Sequence, residues 1–288
     1  MCNWKWALVL VCVVASLVRG EDPPMPTPDP LASGPIKVGI TVSNLTAITK
    51  SPSGKPWGFD VQTRIVAELN SPDMEFIPVI ESGTEKEDAQ VAQLTKVFPN
   101  KTPIDGSDPA ALKKLDVLVA HEDWMVPHEM LMGVHQAAKD GLPLLNIGGL
   151  GWASPGLATE GSPAGELTGF KEVQGGYTSN PVLCKIVKTH PLLGDWNKQQ
   201  TISLRLLGAY GELPPDATPL VQIADPATMK VRGPKRDNPN MICYPMYISH
   251  LGNGPIVGID FALFAYNKPD RGKLLQRCVK FLAGRAVE

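Results

Sequence analysis

The chain has 288 residues and a nearly balanced charge, with 27 basic against 29 acidic side chains. This balance gives no support for a nucleic-acid partner, because binding to a phosphate backbone needs a basic surface. The one dense basic run, residues 230–236, is interrupted by Gly233 and Pro234 and is interpreted as a solvated loop.

The first 20 residues are typical of a secretory signal. Lys5 supplies a positive start, residues 6–18 are almost wholly apolar, and Val18-Arg19-Gly20 offers a cleavage site after Gly20. Because the apolar run is shorter than the ~20 residues of a membrane-spanning helix, we expect cleavage rather than an uncleaved anchor. The sequence therefore predicts a secreted or periplasmic protein with no membrane span after signal cleavage.

Residues 21–34 form a leader with five prolines and few apolar side chains. Proline fixes φ and favours extended backbone, so the leader is predicted to be stiff rather than part of a core. Residues 35–288 are long enough for one large α/β domain or two small ones. We predict a single domain over residues 35–288.

The first part of this domain alternates apolar runs with helical patterns. Strands are predicted at 36–42 and 75–80, and a helix over 59–69 between them. Pro78 places the second strand at an edge or a bulge, since proline cannot donate to a sheet ladder. Further helices are predicted at 85–98 and 108–115, with a loop over 99–109 and Asp108 as the N-cap of the second helix.

The clearest strand–helix–strand pattern lies between residues 115 and 147. A strand at 117–120 is followed by a helix at 127–140, with an apolar stripe that includes Met130 and Val134, and by a strand at 144–147. Gly141 suits the position after the helix, where the backbone is commonly left-handed. Residues 148–177 are rich in Gly, Pro and Ser, and they are predicted to form a long loop over the edge of the sheet.

The last part of the chain has a different pattern, with successive strands and one closing helix. The predicted strands are 182–187, 200–207, 218–223, 241–248 and 255–261, and the helix is 271–284. The strand–helix alternation of the first half indicates a layered α/β fold with a mainly parallel central sheet. The successive strands of the C-terminal half add some antiparallel pairs.

The order of these elements resembles the ThuA-like branch of the class I glutamine amidotransferase-like fold. The segments that carry the resemblance are Asp116-Val-Leu-Val119, Ala137-Ala-Lys-Asp-Gly-Leu-Pro-Leu-Leu145, Thr189-His-Pro-Leu-Leu-Gly194, Gly211-Glu-Leu-Pro-Pro-Asp-Ala-Thr-Pro219 and His250-Leu-Gly-Asn-Gly-Pro-Ile-Val-Gly258. Together they cover the chain from residue 36 to residue 284. The resemblance implies a flavodoxin-like three-layer sandwich and, through the family's name, a connection with sugar utilisation.

Two positions depart from the family pattern. An amidotransferase needs a cysteine at the sharp turn after the elbow strand, where a thiolate is exposed and activated. This chain has Ile147-Gly-Gly-Leu-Gly151 there, so glutamine hydrolysis is not expected. The family's Gly-His-Asp motif is present as Gly258-Ile-Asp260, without its histidine, and this weakens the case for sugar processing.

Polar residues and glycines follow both strands of the strand–helix–strand unit. Because ligands of open parallel sheets bind beyond the carboxyl ends of the strands, we predict a ligand-binding rim there. Its predicted members are His121, Glu122, Asp123, Gly148, Gly149, Trp152 and Tyr177. The aromatic residues, together with Trp57, can stack on a sugar face or pack against the core. The glycines can bring backbone amides to an anion or form a tight turn.

The same region also has residues that bind metals. His121, Glu122 and Asp123, with His128 and Glu129, offer imidazole and carboxylate ligands for a divalent ion. Their spacing matches no established metal motif, and His128 and Glu129 also suit a helix N-terminus. A metal site, a ligand-contacting rim and plain capping remain alternatives. We predict no bound metal and no cofactor.

After signal cleavage three cysteines remain, and an odd number permits one disulfide and one free thiol. Cys278 lies on the apolar face of the last helix, so Cys184 and Cys243 are the expected pair if a disulfide forms. Thiol–imidazole dyads between Cys184 and His190, or between Cys243 and His250, are not favoured, because alternate residues of a strand face opposite ways.

Three functions remain open. We favour a secreted ThuA-like domain that binds or modifies a small polar ligand such as a carbohydrate. A periplasmic solute-binding protein is the second, since Lys37-Val-Gly-Ile-Thr41 and Gly54-Lys-Pro-Trp-Gly-Phe-Asp-Val61 resemble the opening of the amino-acid-binding family. A non-catalytic interaction domain that has lost an ancestral active site is the third. The ligand, any catalysis and the oligomeric state stay open.

Overall fold

The structure, a computed structural model, describes residues 34–42, 60–80, 94–121, 128–148, 161–231, 238, 240–263 and 268–287. The described strands are β1 (Ile36–Val42), β2 (Met74–Ile80), β3 (Ile104–Asp105), β4 (Val117–His121), β5 (Leu144–Ile147), β6 (Glu172–Tyr177), β7 (Val182–Ile186), β8 (Thr201–Leu204), β9 (Leu207–Glu212), β10 (Thr218–Ile223), β11 (Lys230–Val231), β12 (Met246–Leu251) and β13 (Gly254–Ile259). The described α-helices are α1 (Asp60–Leu69), α2 (Pro109–Leu112), α3 (His128–Lys139), α4 (Pro163–Glu166) and α5 (Lys268–Leu282).

Shorter helical segments complete the described structure. Pro191–Lys198 and Pro226–Thr228 are 3-10 helices, and residues 94–97 are also helical. Within the described ranges, no helix has both the length and the apolar character needed to cross a membrane.

Ten strands form one sheet in the order β3-β2-β1-β4-β5-β13-β12-β10-β7-β8, and β11, β6 and β9 form a smaller second sheet. The neighbours from β3 to β13 are parallel. The neighbours from β13 to β8 are antiparallel. This confirms the predicted α/β sandwich, with a mainly parallel sheet and antiparallel strands in the C-terminal half.

Helices cover both faces of the parallel strands. Val119 and Ile147 belong to one apolar cluster, which contains Ile65 of α1 and Leu274 of α5. On the other face, Leu118 belongs to a second cluster with residues of α2, α3 and α4. All four residues of β5 are buried, as expected for a strand whose two faces are both covered.

Several predicted elements have the predicted bounds. β1, β5 and β10 span the predicted residues, and α1 and α3 lie within a residue of their predicted limits. Asp108 caps α2 by accepting the Ala110 N–H at 2.9 Å, although α2 is shorter than predicted. Gly141 has a φ of +118°, the left-handed backbone expected after α3.

β3, the outer neighbour of β2, is short and pairs only with the residues after Pro78. β3 pairs only with Val79 and Ile80, so among the described strands nothing pairs with the outer side of β2 before Val79. Pro78 is opposite Ile40 of β1 on the inner side. β2 is therefore the second strand of the sheet rather than its edge strand, and it has a described outer neighbour only after the proline.

Other boundaries were predicted incorrectly. β3 lies in the predicted loop 99–109, and α4 and β6 lie in the predicted loop 148–177. The predicted strand 200–207 is two strands, β8 and β9, which belong to different sheets. β11 lies at the start of the basic run 230–236, which was predicted to be a solvated loop. β12 begins at Met246, five residues later than predicted.

Candidate functional site

The strand order creates a point where successive chain connections diverge. Taken alone, β2-β1-β4-β5-β13 has the 2-1-3-4-5 order of flavodoxin-like sheets. From β1 the chain continues to β2 on one side, and β4 lies on the other side. Ligands of such sheets bind outside the carboxyl ends of the strands at this divergence, which here lies between Val42 and His121.

The tips of β4 and β5 lie side by side at this edge. His121 is paired with Ile147, and β5 is paired with β13 through Ile147 and Ile259. The N–H of Gly148 donates to the carbonyl oxygen of Ile259 at 2.7 Å. Gly148 has a φ of +89°, so the turn after β5 requires a residue that tolerates left-handed backbone. Its own amide is used within the sheet and is not available to an anion.

His121 is only partly exposed, and its Nδ1 atom is buried. In a sheet, paired residues point to the same face, and successive residues of a strand point to opposite faces. His121 therefore points to the same face as Val119 and Ile147. This is the face that α1 and α5 cover. Desolvation lowers the pKa of His121 from 6.5 to about 3. The ring is therefore neutral at ordinary pH and carries no positive charge.

A buried carboxylate lies directly after β13. Asp260 has no exposed surface, and its N–H donates to the carbonyl oxygen of Pro245 at 2.9 Å. Burial, with the negative charge of Asp260 as the second cause, raises the pKa of Tyr247 and of Cys243. The Cys243 thiol therefore stays protonated and is not an activated nucleophile. Asp260 is not among the residues predicted for the site, although an acidic residue directly after an apolar strand is a signal for one.

Three side chains hold the segment that follows α4. Asn146 Nδ2 donates to Leu167 O at 3.2 Å, Tyr247 Oη donates to Thr168 O at 2.6 Å, and Ser249 Oγ donates to Gly169 O at 2.7 Å. These donors lie on β5 and β12, and all three are buried. They fix residues 167–169, which lie between α4 and β6.

Tyr177 lies at the end of β6 rather than in a loop, which corrects the sequence prediction. Its side chain is 37% exposed, and Lys230 Nζ lies 6.0 Å from the ring centroid. The next residue, Thr178, donates its N–H to Leu206 O at 3.0 Å, and Leu206 in turn bridges to Phe261. Tyr177 is thus about two strand spacings, roughly 10 Å, from the segment that follows Asp260.

No protein family matches this sequence, and no curated protein does. Solved structures do resemble it. A protein described as ThuA-like from Parabacteroides merdae has 13% identity and a TM-score of 0.50, over 88% of this chain and 92% of that one. A second ThuA-like protein, from Bacteroides uniformis, has 13% identity and a TM-score of 0.48, over 88% and 94%. A protein from Thermoplasma acidophilum, described as part of a GMP synthase, has 12% identity and a TM-score of 0.47, over 87% and 96%.

The chain has a ThuA-like fold. This confirms the fold that the resemblance implied from residue order. The residue directly after β5 is Gly148. An amidotransferase has its nucleophilic cysteine at this strand end, and this chain does not.

The structure brings His121 and Gly148 to adjacent strand ends, whereas Tyr177 lies on β6 of the smaller, three-stranded sheet. Glu122, Asp123, Gly149 and Trp152 lie outside the described residues, as does Trp57. Among the described residues, no three His, Cys, Asp or Glu side chains are grouped as metal ligands. The metal alternative of the sequence analysis involves two residues beyond that part of the chain and stays a hypothesis.

The expected disulfide is absent, because Cys184, Cys243 and Cys278 are all free and buried. Ile223 pairs with Cys184 on one side and donates its N–H to Cys243 O at 3.0 Å on the other. Two strand spacings of ~4.8 Å separate the cysteines, whereas a disulfide joins Cα atoms no more than ~7 Å apart.

The thiol–imidazole hypotheses also find no support in the described contacts. His190 Nδ1 accepts the Leu192 N–H at 3.3 Å, and His250 pairs with Asp216 at 3.2 Å. Burial raises the pKa of Cys184 to about 12, so its thiol stays protonated.

Proposed function

We propose that this protein binds a small polar ligand, such as a carbohydrate, at the carboxyl edge formed by β1, β4, β5 and β13. The observation that carries the proposal is the adjacency of His121 and Gly148 beside the divergence between β1 and β4. Open α/β sheets bind their ligands at this position because the diverging connections leave a crevice there. Because one fold hosts many functions, the chemistry of the edge decides which ligand fits.

The chemistry of the edge suits a neutral, hydroxylated ligand better than an anion. A neutral imidazole at His121 exchanges hydrogen bonds with hydroxyl groups but does not attract negative charge. The amide of Gly148 is already bonded to Ile259, so it does not serve an anion either. Tyr177 supplies an exposed aromatic ring of the kind that stacks on sugar faces.

The proposal is for binding, and any reaction remains open. Gly148 replaces the nucleophile of an amidotransferase, and the described cysteines are buried thiols. Among the described residues, no thiol at this edge is available to attack.

Titration calorimetry against a panel of neutral mono- and disaccharides tests the proposal. We expect one sugar class to bind the purified full chain, and His121→Ala and Tyr177→Ala each to weaken that binding by about tenfold or more. Leu183→Ala is the matched control, because Leu183 is 59% exposed on β7 and its loss should leave affinity unchanged. No heat with any sugar, or equal affinity in all three variants, would reject this edge as the binding site.

A non-catalytic interaction domain is the second candidate. Leu183 and Val187, on and just after β7, are 59% and 43% exposed and are the apolar side chains that a partner would contact under this proposal. Slow turnover of a bound sugar that His121→Ala abolishes would reject this candidate.

The solute-binding alternative finds less support. One ten-stranded sheet joins the described strands of both halves of the chain, whereas a two-lobed binding protein has a separate sheet in each lobe.

We also propose that the chain is exported, with cleavage after Gly20. The basis is the sequence of residues 1–20, with Lys5 before an apolar run. The intact mass of protein isolated from its natural source measures this directly. A mass that begins at Glu21 supports export, and a mass that retains Met1 or the apolar run rejects cleavage.

A further inference from the structure

An apolar groove lies at the opposite end of the sheet, beside the amino ends of β1 and β2. It has a volume of about 420 Å³. Its apolar lining includes Pro35, Val66, Met74, Phe76, Val97 and Phe98. A salt bridge between Lys101 and Glu75, at 2.8 Å, borders the groove with one positive and one negative group.

We propose that this groove binds the proline-rich leader of the same chain, with residues 28–31 as the contacting segment. The leader joins the described structure at Gly34, and the next residue, Pro35, is part of the groove lining. The attachment point is fixed, since Ile36 N–H donates to Asp73 O at 2.7 Å and Arg285 donates to Gly34 O at 3.3 Å. The leader therefore starts from a defined position at the margin of the groove.

The distance from this attachment point suits residues 28–31. Leu31 is three residues before Gly34, and an extended chain covers at most ~3.6 Å per residue, so Leu31 reaches positions up to ~11 Å away. Four residues in polyproline II conformation span ~12 Å. The leader can thus reach back across the groove with Pro28, Pro30 and Leu31.

The chemistry of the leader matches the lining. Proline-rich segments dock on apolar and aromatic surfaces because their extended conformation is already formed and little entropy is lost. Pro28, Pro30 and Leu31 offer apolar side chains to Phe76 and its neighbours. Asp29 offers a carboxylate to Lys101, whose side chain is 35% exposed.

Attachment to the groove margin favours the chain's own leader over a free peptide. A short tether gives an effective concentration in the millimolar range, so even weak contacts fill the groove. A separate partner with the same contacts would need that concentration in solution. The leader is therefore the occupant that this geometry favours.

Disulfide trapping in the full chain tests the proposal. Leu31→Cys is combined with Val97→Cys in the groove or, as a matched control, with Lys37→Cys. Lys37 is exposed, nearer to the leader in sequence and outside the lining, so an undocked leader should bridge to it at least as fast. Cross-linking in a glutathione buffer is followed by peptide mass spectrometry, which counts the designed bridge apart from any bridge to Cys2 or Cys12. The described native thiols are buried and react slowly under these conditions.

We expect the Leu31→Cys/Val97→Cys bridge to form about tenfold faster than the control bridge. Adding Val66→Asp, which places a carboxylate in the groove, should remove that advantage while thermal unfolding shows that the chain still folds. Equal or reversed rates, or an advantage that persists in a folded Val66→Asp variant, would overturn the proposal. Bridges between two chains, seen as covalent dimers, would also overturn it by assigning the groove to a second copy.

Discussion

The hydroxyl of Tyr247 donates to the carbonyl oxygen of Thr168 at 2.6 Å inside the protein, and neither residue is exposed. The Tyr247 ring occupies the space above Gly258, where an added Cβ would lie 2.0 Å from the ring carbon Cζ. Gly258 is therefore required so that β12 can hold the segment after α4 against the sheet. The segment between α4 and β6 is anchored here rather than at the edge itself.

Tyr247→Phe should reduce the free energy of unfolding by about 1–3 kcal/mol, because it leaves the buried Thr168 carbonyl without this donor. Urea unfolding followed by tryptophan fluorescence measures the change. Tyr244→Phe is the control, since Tyr244 also packs near Phe170 but is only partly buried. Equal effects of the two substitutions would show that the Tyr247 hydroxyl contributes nothing specific.

His121 should remain neutral until strongly acidic pH, because desolvation lowers its pKa from 6.5 to about 3. Between these values the unfolded chain binds a proton that the folded chain does not, so stability falls as pH falls. His121→Gln removes this contribution, and the variant should lose less stability than the parent between pH 6.5 and about pH 4.

Chemical denaturation across this pH range measures the slope, and NMR of the imidazole Cε1 measures the titration. His128→Gln, at the exposed start of α3, controls for the loss of one histidine. A His121 ring that titrates near 6.5 would contradict the buried environment.

Gly133→Ala should destabilise the protein although alanine is the better helix former. An added Cβ would lie 2.3 Å from the carbonyl oxygen of Gly106, and backbone atoms cannot rotate away as a side chain can. We expect a net loss of about 1–3 kcal/mol, since overpacking outweighs the helix propensity gain of about 1 kcal/mol. Thermal unfolding measures it, with Met132→Ala on the exposed side of α3 as the control.

A rise in melting temperature for Gly133→Ala would mean that α3 can move away from the turn after β3. That turn is held by Asp105, whose carboxylate accepts the N–H of Ser107 at 2.9 Å and its hydroxyl at 2.7 Å. The position of α3 and of the edge next to β4 would then be adjustable.

The three cysteines of the predicted mature chain should be unreactive in the folded protein. Burial raises the pKa of Cys184 and of Cys278 to about 12 and raises that of Cys243 further above its usual range. Alkylation at neutral pH should be at least about a hundredfold slower than in denaturant, because the thiolate is the reacting form. A reducing agent should leave the unfolding midpoint unchanged, and a bridged peptide containing Cys184 and Cys243 would contradict this prediction.

The parallel half of the sheet could be predicted from sequence because its signals are local. β1 and β5 are short apolar runs that follow turn residues, and burial on both faces makes such runs continuous. The adjacency of His121 and Gly148 followed from the same reasoning, since parallel neighbours end at one edge. These parts needed no knowledge of distant contacts.

The antiparallel half could not be predicted as well, because long-range pairing decides where its strands end. The run 200–207 looks continuous, but Ala262 N–H donates to Arg205 O and Leu206 bridges to Phe261, and this separates β8 from β9. Asp260 and Tyr247 were missed as neighbours for the same reason. A buried carboxylate is visible only when the strands around it are assembled.

The two outermost strands of the ten-stranded sheet are β3, with two residues, and β8, with four. An outermost strand presents unpaired amide and carbonyl groups to which another molecule can add its own strand. Because the outermost described strands are short, they present few of those groups. A strand of another molecule therefore has little edge to pair with. The short β3, next to the strand that carries Pro78, therefore protects the folded chain from edge-to-edge pairing with other copies.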